Sequence, residues 1–381
     1  MITSRKELFS LSRITVKVGT RVISPPEGGL KERVIEKLTR EIAALWDEGR
    51  QIILVTSGAI GAGFPELGLK KRPKDLPLEQ ASSSIGQIKL IARYQFYFQK
   101  YGRKCAQILL SREDIENRER FLNARNTFIS LLKMGIVPVV NENDAVTTEE
   151  IRYGDNDLLA GMVTTLVNAE LLIILTDVKG LYPRMDMGKE NLVPLKEISR
   201  ITSEIEKMVS KEKKGAGGMD SKLKVASILG KAGVPVLIAD GREENILTRL
   251  LSGEETGTLF LPASERYSGK KIWIGYLRKV KGWIKVDKGA ETAIKEKGKS
   301  LLPSGIIESG RTFHPGDTVS LLNEEGEEIA RGLVNYSSEV LEKITGKKTS
   351  EVKKILGCLP YEEIIHRDNL LIFEKGGKKE K

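Results

Sequence analysis

Histidine and cysteine are almost missing: the 381-residue chain has only His314 and His366, and only Cys105 and Cys358. So few imidazoles argue against a histidine-based triad or a zinc site. The two thiols are far apart and make neither a disulfide framework nor a metal-ligand pattern, so both read as core residues. Long apolar runs are missing too. Leu171–Leu175 is among the longest, far short of a bilayer span, and the opening MITSRKELFSLSR has no apolar centre of signal-peptide length. The expectation is a cytoplasmic protein with no membrane association. Its chemistry must rest on carboxylates, lysines and backbone.

Those groups are plentiful. The composition, 40% hydrophobic and 30% charged, is that of a soluble globular protein, and the length predicts two domains, each with its own core. The net charge is +10, and the C-terminal part is the more basic per residue. Between Lys270 and Lys299 ten basic residues face only Asp287, Glu291 and Glu296. A solvated surface is the commoner meaning of such a run, and nucleic acid is the alternative.

Short β-branched runs alternate with longer amphipathic ones. Strands are expected at 14–18, 51–56, 106–110, 136–140, 171–176 and 234–239, and helices at 30–48, 78–101, 118–134, 157–168 and 221–232. That alternation predicts an α/β fold with parallel strands covered by helices, whose ligands sit beyond the carboxyl ends of the strands. The polar stretch Leu261–Lys271 breaks the pattern, which places one domain at 1–265 and a second at 266–381. The second reads as a small β-rich module, with strands at 272–275, 283–286, 305–308, 318–322, 329–333 and 370–373, helices at 338–344 and 349–356, and a disordered basic tail.

Three loops carry the chemistry. The stretch Val139–Ala160, VVNENDAVTTEEIRYGDNDLLA, sets Asp144, Asp155 and Asp157 among Asn141, Asn143 and Asn156 between an apolar run and a helix. Turns use one or two such residues, and this density suggests a binding loop. Ser57 to Gly63, SGAIGAG, follows a strand and suits a phosphate or carboxylate cradle, although an ordinary tight turn has the same pattern. Neither a Walker A loop nor a dinucleotide fingerprint is present. Gly215 to Lys222, GAGGMDSK, opens a helix with a lysine in its first turn, as a phosphate site or a flexible basic hinge would. Lys17, before Gly19 at a strand end, completes a set of two lysines, two glycine loops and an aspartate cluster. Together these point to phosphoryl transfer, which needs positioning and charge neutralisation.

VKVGT, ILVTSGAIGAG, RERFLNARNT, PVVNENDAV, YGDNDLLA, ILTDVKGLY and GAGGMDSK, in this order, closely resemble the glutamate 5-kinase branch of the amino-acid kinase superfamily. KSLLPSGI, HPGDTVSL, IARGLVNYSS and IIHRDNLLIF resemble an appended PUA domain. The resemblance implies an αβα sandwich with a mainly parallel sheet plus a PUA pseudobarrel. It implies ATP-dependent phosphorylation of L-glutamate at its γ-carboxylate with Mg²⁺, the first step of proline biosynthesis, with proline as inhibitor and a homo-oligomeric assembly. It places Lys17 and Lys222 on the ATP phosphates, and Ser57, Asp144 and Asn156 on glutamate. Thr176 and Asp177 fall at the nucleotide, and Ala216, Gly217, Gly218, Met219, Asp220, Ser221 and Lys222 form the ATP loop. Members often carry hydroxyls where this chain has Ala216 and Asp220, so Asp220 is free to cap the following helix instead. The rivals are another carboxylate or phosphate acceptor, such as aspartate or a nucleoside monophosphate, and RNA binding, since PUA modules elsewhere bind RNA. Two lysines near one phosphoryl group repel, and a carboxylate between them would hold both. Asp157 is the candidate catalytic organiser, with Asp155 or a plain helix-start role as alternatives. On that basis Asp157→Asn is expected to lower kcat and leave the melting temperature nearly unchanged.

Overall fold

The computed structural model describes residues 2–146, 156–182, 193–199, 201–202, 205, 218–262, 267, 269–357 and 361–373. The features expected at Asp155, Ala216, Gly217 and the C-terminal tail lie outside them. The chain divides into two compact units, Met1–Arg266 and Tyr267–Lys381.

The first unit is built on strands β1 (Arg13–Val18), β2 (Gln51–Val55), β3 (Cys105–Leu110), β4 (Val137–Glu142), β5 (Leu171–Thr176), β6 (Glu197–Ile198), β7 (Val236–Asp240) and β8 (Thr258–Phe260), in the order β3-β4-β2-β1-β5-β7-β8-β6. All neighbours pair in parallel except β7 with β8. The register sets Ile14 opposite both Ile52 and Leu171. Every residue of β5 is buried, which explains its unbroken LLIILT sequence, since a central parallel strand has no wet face. The strands alternate with helices α1 (Glu32–Asp47), α2 (Ala59–Gly63), α3 (Leu76–Lys100), α4 (Arg118–Lys133), α5 (Asn156–Leu166) and α6 (Met219–Lys231).

The helix starts follow local chemistry. Asp75 accepts from the Leu78 amide at the head of α3, and Asn117 accepts from the Arg120 amide at the head of α4. Gly58 has φ of 99° before α2, a left-handed conformation that favours glycine. The short α2 then lies backbone to backbone on α3: a Cβ on Gly63 would fall 1.8 Å from the Ser82 carbonyl oxygen, and one on Gly86 1.9 Å from that of Ala59. The turn after β2 is thereby fixed against α3.

In the second unit the sheet runs β10-β9-β11-β12-β13, from β9 (Val280–Val286), β10 (Ile306–Gly310), β11 (Thr318–Leu322), β12 (Glu328–Leu333) and β13 (Leu370–Ile372). Only β9 and β11 pair in parallel. It has a separate core that includes Ile284, Phe313, Leu321, Ile344 and Ile365. The helices expected at 338–344 and 349–356 are present. Residues 272–275, expected as a strand, are helical: an α-turn over Gly269–Ile272 runs into a wider turn over Trp273–Leu277. Ile272, Trp273 and Ile274 are buried, and a Cβ on Gly275 would meet Leu371 at 2.0 Å. A four-residue apolar run has no period that separates strand from buried helix.

Because each unit has its own sheet and core, a chain ending at Arg266 is expected to fold with a cooperative melt and to keep the activity proposed below. A folded truncation with no turnover would show that the second unit completes the site.

Candidate active site

The parallel pairing of β4, β2, β1 and β5 brings their carboxyl ends to one edge of the sheet. Lys17 on β1, Ser57 after β2, Asp144 after β4, and Thr176 and Asp177 at the end of β5 all belong to that edge. The start of α5 adds Asn156 and Asp157, and α6 adds Lys222. Neighbouring residues Asn156 and Asp157 divide the site into two halves.

On one side Asp157 is fully buried between two lysines. One carboxylate oxygen is 2.5 Å from the Lys17 ammonium, and the other is 2.8 Å from that of Lys222. Both lysines are within 5% of full burial. Ser221 Oγ lies 2.9 Å from Asp157 Oδ2 and 2.8 Å from the Gly218 carbonyl oxygen, so its one proton serves either acceptor. Burial alone would raise the Asp157 carboxyl. The charges and hydrogen bonds of Lys17 and Lys222 outweigh it and hold the group well below the usual carboxylate range. The cluster carries a net positive charge in a dry place, which is how a protein prepares to receive an anion.

Gly218 is the cap residue of α6, and Met219, Asp220 and Ser221 form its first turn. Asp220 is therefore inside the helix and does not cap it, contrary to the alternative raised from the sequence. Thr176 Oγ1 is 3.2 Å from Asp177 Oδ1. The other Asp177 oxygen pairs with Arg21 at 3.3 Å, and its carbonyl accepts from Arg242 at 2.8 Å. Arg242 is itself held by Asp240, where its Nε and backbone amide each lie 2.9 Å from Oδ1. Neither arginine stands out in the sequence, because an isolated arginine belongs to no motif or period.

On the other side Asn156 Nδ2 faces three acceptors: the Thr56 carbonyl at 2.9 Å, Ser57 Oγ at 2.8 Å and Asn141 Oδ1 at 3.1 Å. A carbonyl only accepts, so this fixes which end of the Asn156 amide is nitrogen. Its Oδ1 is shielded from solvent and has no partner among the described residues. An unpaired buried acceptor costs about 1–3 kcal/mol until a donor arrives. Ser57 Oγ accepts from Asn156 and keeps its own proton to donate. Asp144 accepts from Ser83 Oγ at 2.5 Å, and burial pushes its carboxyl above the ordinary range despite that bond and the nearby Arg72. A half-buried carboxylate and an amide oxygen without a donor thus belong to the same sheet edge, a donor set that suits an ammonium ligand. Ser83, on α3, had a signal in the sequence: it is one of several polar residues on the inward face of an amphipathic helix.

The described residues include no group of three or more His, Cys, Asp or Glu side chains suited to hold a metal. No helix among them is long and apolar enough to cross a membrane.

Residues 12–240 match the model of the amino acid kinase family, and residues 282–356 match the PUA domain. Among similar proteins, the glutamate 5-kinase of Caldanaerobacter subterraneus subsp. tengcongensis is 47% identical over 368 residues, covering 96% of this chain and 99% of that protein. The glutamate 5-kinase of Moorella thermoacetica is 43% identical over 97% of this chain and 98% of its own length. That of Syntrophotalea carbinolica is 44% identical over 97% and 99%.

Proposed function

The chain belongs to the amino acid kinase family, and from that membership we propose that it transfers the γ-phosphoryl group of ATP to the γ-carboxylate of L-glutamate, giving L-glutamyl 5-phosphate. The observation that carries the reading is the buried lysine–aspartate–lysine cluster adjoining Asn156, whose buried oxygen lacks a donor, on the sheet edge that also bears the half-buried Asp144. A free glutamate γ-carboxyl titrates near pH 4.3, so it is already a nucleophile at neutral pH and needs no general base.

Asp144 and Asn156 Oδ1 take the α-ammonium, and the Ser57 hydroxyl donates to the α-carboxylate. Lys17 and Lys222 meet the phosphate oxygens and offset the charge that develops as the phosphoryl group moves. Thr176, Asp177 and the stretch Ala216, Gly217, Gly218, Met219, Asp220 and Ser221 hold the nucleotide, with Gly218, Met219 and Asp220 lending backbone amides at the start of α6. Asp157 organises the two lysines. Both its oxygens are engaged by them, and the Mg²⁺ accompanying ATP, held by phosphate oxygens and by protein or water ligands, would supply further charge neutralisation.

Proline shares the α-carboxylate and amine of glutamate and inhibits by competing for Asp144, Asn156 and Ser57. The product enters proline biosynthesis in the cytoplasm. Assembly into a homo-oligomer is supported by exposed Ile88 and Phe96 on α3 and Leu122 on α4. RNA binding by the second unit is a separate reading supported by the PUA match and the basic run from Lys270 to Lys299. It requires that the truncation at Arg266 lose any salt-sensitive RNA affinity of the full chain.

Coupled ADP release with glutamate, with hydroxylamine trapping the acyl phosphate as a hydroxamate, tests the main reading. ATP turnover with no hydroxamate would point to another acceptor. The pH profile gives a second check. Asp144 must be ionised to hold an ammonium group, and its carboxyl sits above the ordinary aspartate range. As pH falls through that raised value the carboxylate is protonated, so the KM for glutamate is expected to rise while the KM for ATP changes little. Asp144→Asn should flatten this limb; an unchanged limb in that variant would assign it to another group.

A further inference from the structure

One face of α3 has polar residues that touch neither proposed substrate. Ser83, Gln87 and Tyr94 are spaced so that they share a side of the helix; the first two meet the exit of β4 and the third the exit of β2. Ser83 Oγ is 2.5 Å from Asp144 Oδ2, Gln87 Oε1 is 2.7 Å from Asn141 Nδ2, and the fully buried Tyr94 hydroxyl is 2.9 Å from Thr56 Oγ1.

The Gln87 contact starts a relay. With its Nδ2 given to Gln87, the buried Asn141 turns its Oδ1 toward Asn156 and accepts from Asn156 Nδ2 at 3.1 Å. The nitrogen end of Asn156 is thus drawn toward Asn141, Thr56 and Ser57, and the oxygen end is left unpaired. An amide turned the other way would present N–H groups, which repel an ammonium and suit a carboxylate.

We propose that Gln87 is a positioning residue that, through Asn141, reinforces the donor–acceptor polarity that the Thr56 carbonyl also imposes on Asn156, and so favours a dicarboxylate with an α-ammonium group over one without it. This rests on the glutamate reading above. Gln87 is half-buried on a helix, so Gln87→Met keeps length and helix preference while removing the acceptor. Gln87→Glu keeps an acceptor at the same place.

The experiment measures KM and kcat for glutamate, glutarate and ATP in the full-length wild type and both variants. Gln87→Met is expected to raise the glutamate KM about tenfold, as loss of a well-oriented bond to a charged group would. It should leave the ATP KM unchanged and shrink the preference for glutamate over glutarate by a similar factor. Gln87→Glu should restore both. A Gln87→Met enzyme within twofold of wild type, or one whose glutamate and ATP constants move together, overturns the proposal. Should Gln87→Met fail to fold, Gln87→Glu still decides, because loss of glutamate preference in a variant that keeps the acceptor contradicts the relay. A wild type that leaves glutamate untouched overturns the functional reading itself, whereas an active wild type with an indifferent Gln87 overturns only this inference.

Discussion

Asp157→Asn is expected to lower kcat by about 10³-fold with only modest changes in either KM, because it disorders the two cations that act on the moving charge and leaves the binding groups in place. The same substitution should lower the melting temperature of the free protein by several degrees. The sequence alone suggests no such loss, since Asn resembles Asp in size and hydrogen bonding. Burial reverses that expectation. Asp157 is fully buried and both lysines nearly so, and removing the anion from a buried ion pair costs about 3–5 kcal/mol because the cations stay behind uncompensated. ATP brings its own negative charge to the same lysines, so saturating nucleotide should recover much of the lost melting temperature. Because its carboxyl is held below the usual range, Asp157 contributes stability that is present above the unfolded-state pKa and lost only in strong acid. The wild-type advantage over Asp157→Asn should therefore be constant between pH 5 and 8. A variant with kcat within a few-fold of wild type would give the organising role to another residue.

The lysines should behave in the opposite way toward heat. Lys17→Met and Lys222→Met are each expected to cost roughly 10²–10³-fold in kcat, yet leave the melting temperature of the free protein unchanged or slightly higher. Two ammonium groups share one carboxylate, so deleting either removes a like-charge repulsion and leaves the other lysine its Asp157 partner. Methionine also fills most of the lysine stem's volume. Differential scanning calorimetry beside steady-state kinetics would show the divergence, with activity lost in all three variants and stability lost only in the aspartate one. Lys17→Met combined with Asp157→Asn should cost less than the sum of the two, since both disturb one charge arrangement. A large drop in stability for both lysine variants, or strict additivity in the double variant, would mean that the lysines serve the fold and not the reaction.

Much of this site was legible beforehand. The alternation of buried runs with amphipathic ones set out the parallel strands, and the Asn and Asp density after Val140 marked a loop too polar for a connector. Burial and direction were hidden. Nothing in the string shows that Asp157 is fully enclosed or that Asn156 keeps one oxygen unpaired. The polar face of α3 shows that Ser83, Gln87 and Tyr94 share a side but not what they meet, because their partners arrive from the exits of β4 and β2. The reversal of β8 against β7 was hidden for a different reason: a strand of three residues has too few alternations to declare a direction. The helix α7 (Lys288–Lys295) has no clear signal in the sequence because Ile294 is its one buried residue, which gives a core-facing stripe no period to display.

The adjacency of Asn156 and Asp157 turns the start of α5 into a ruler. In the proposed glutamate reading, one end of the amino acid is anchored through the first residue and the phosphoryl-facing lysines through the second, and neighbouring residues of a helix are displaced by a fixed rise of about 1.5 Å. The span between amine and reacting carboxylate is thus read against a rigid backbone, with no loop between the two marks to stretch. Aspartate, shorter by one carbon–carbon bond of about 1.5 Å, would meet the same amine anchor and fall short of the phosphorus. An error near 1 Å in such a step can cost on the order of 10²-fold in rate. Rejection of the shorter homologue then needs no clash and no dedicated specificity pocket, because the length of the acceptor is checked by the peptide unit that joins these two residues.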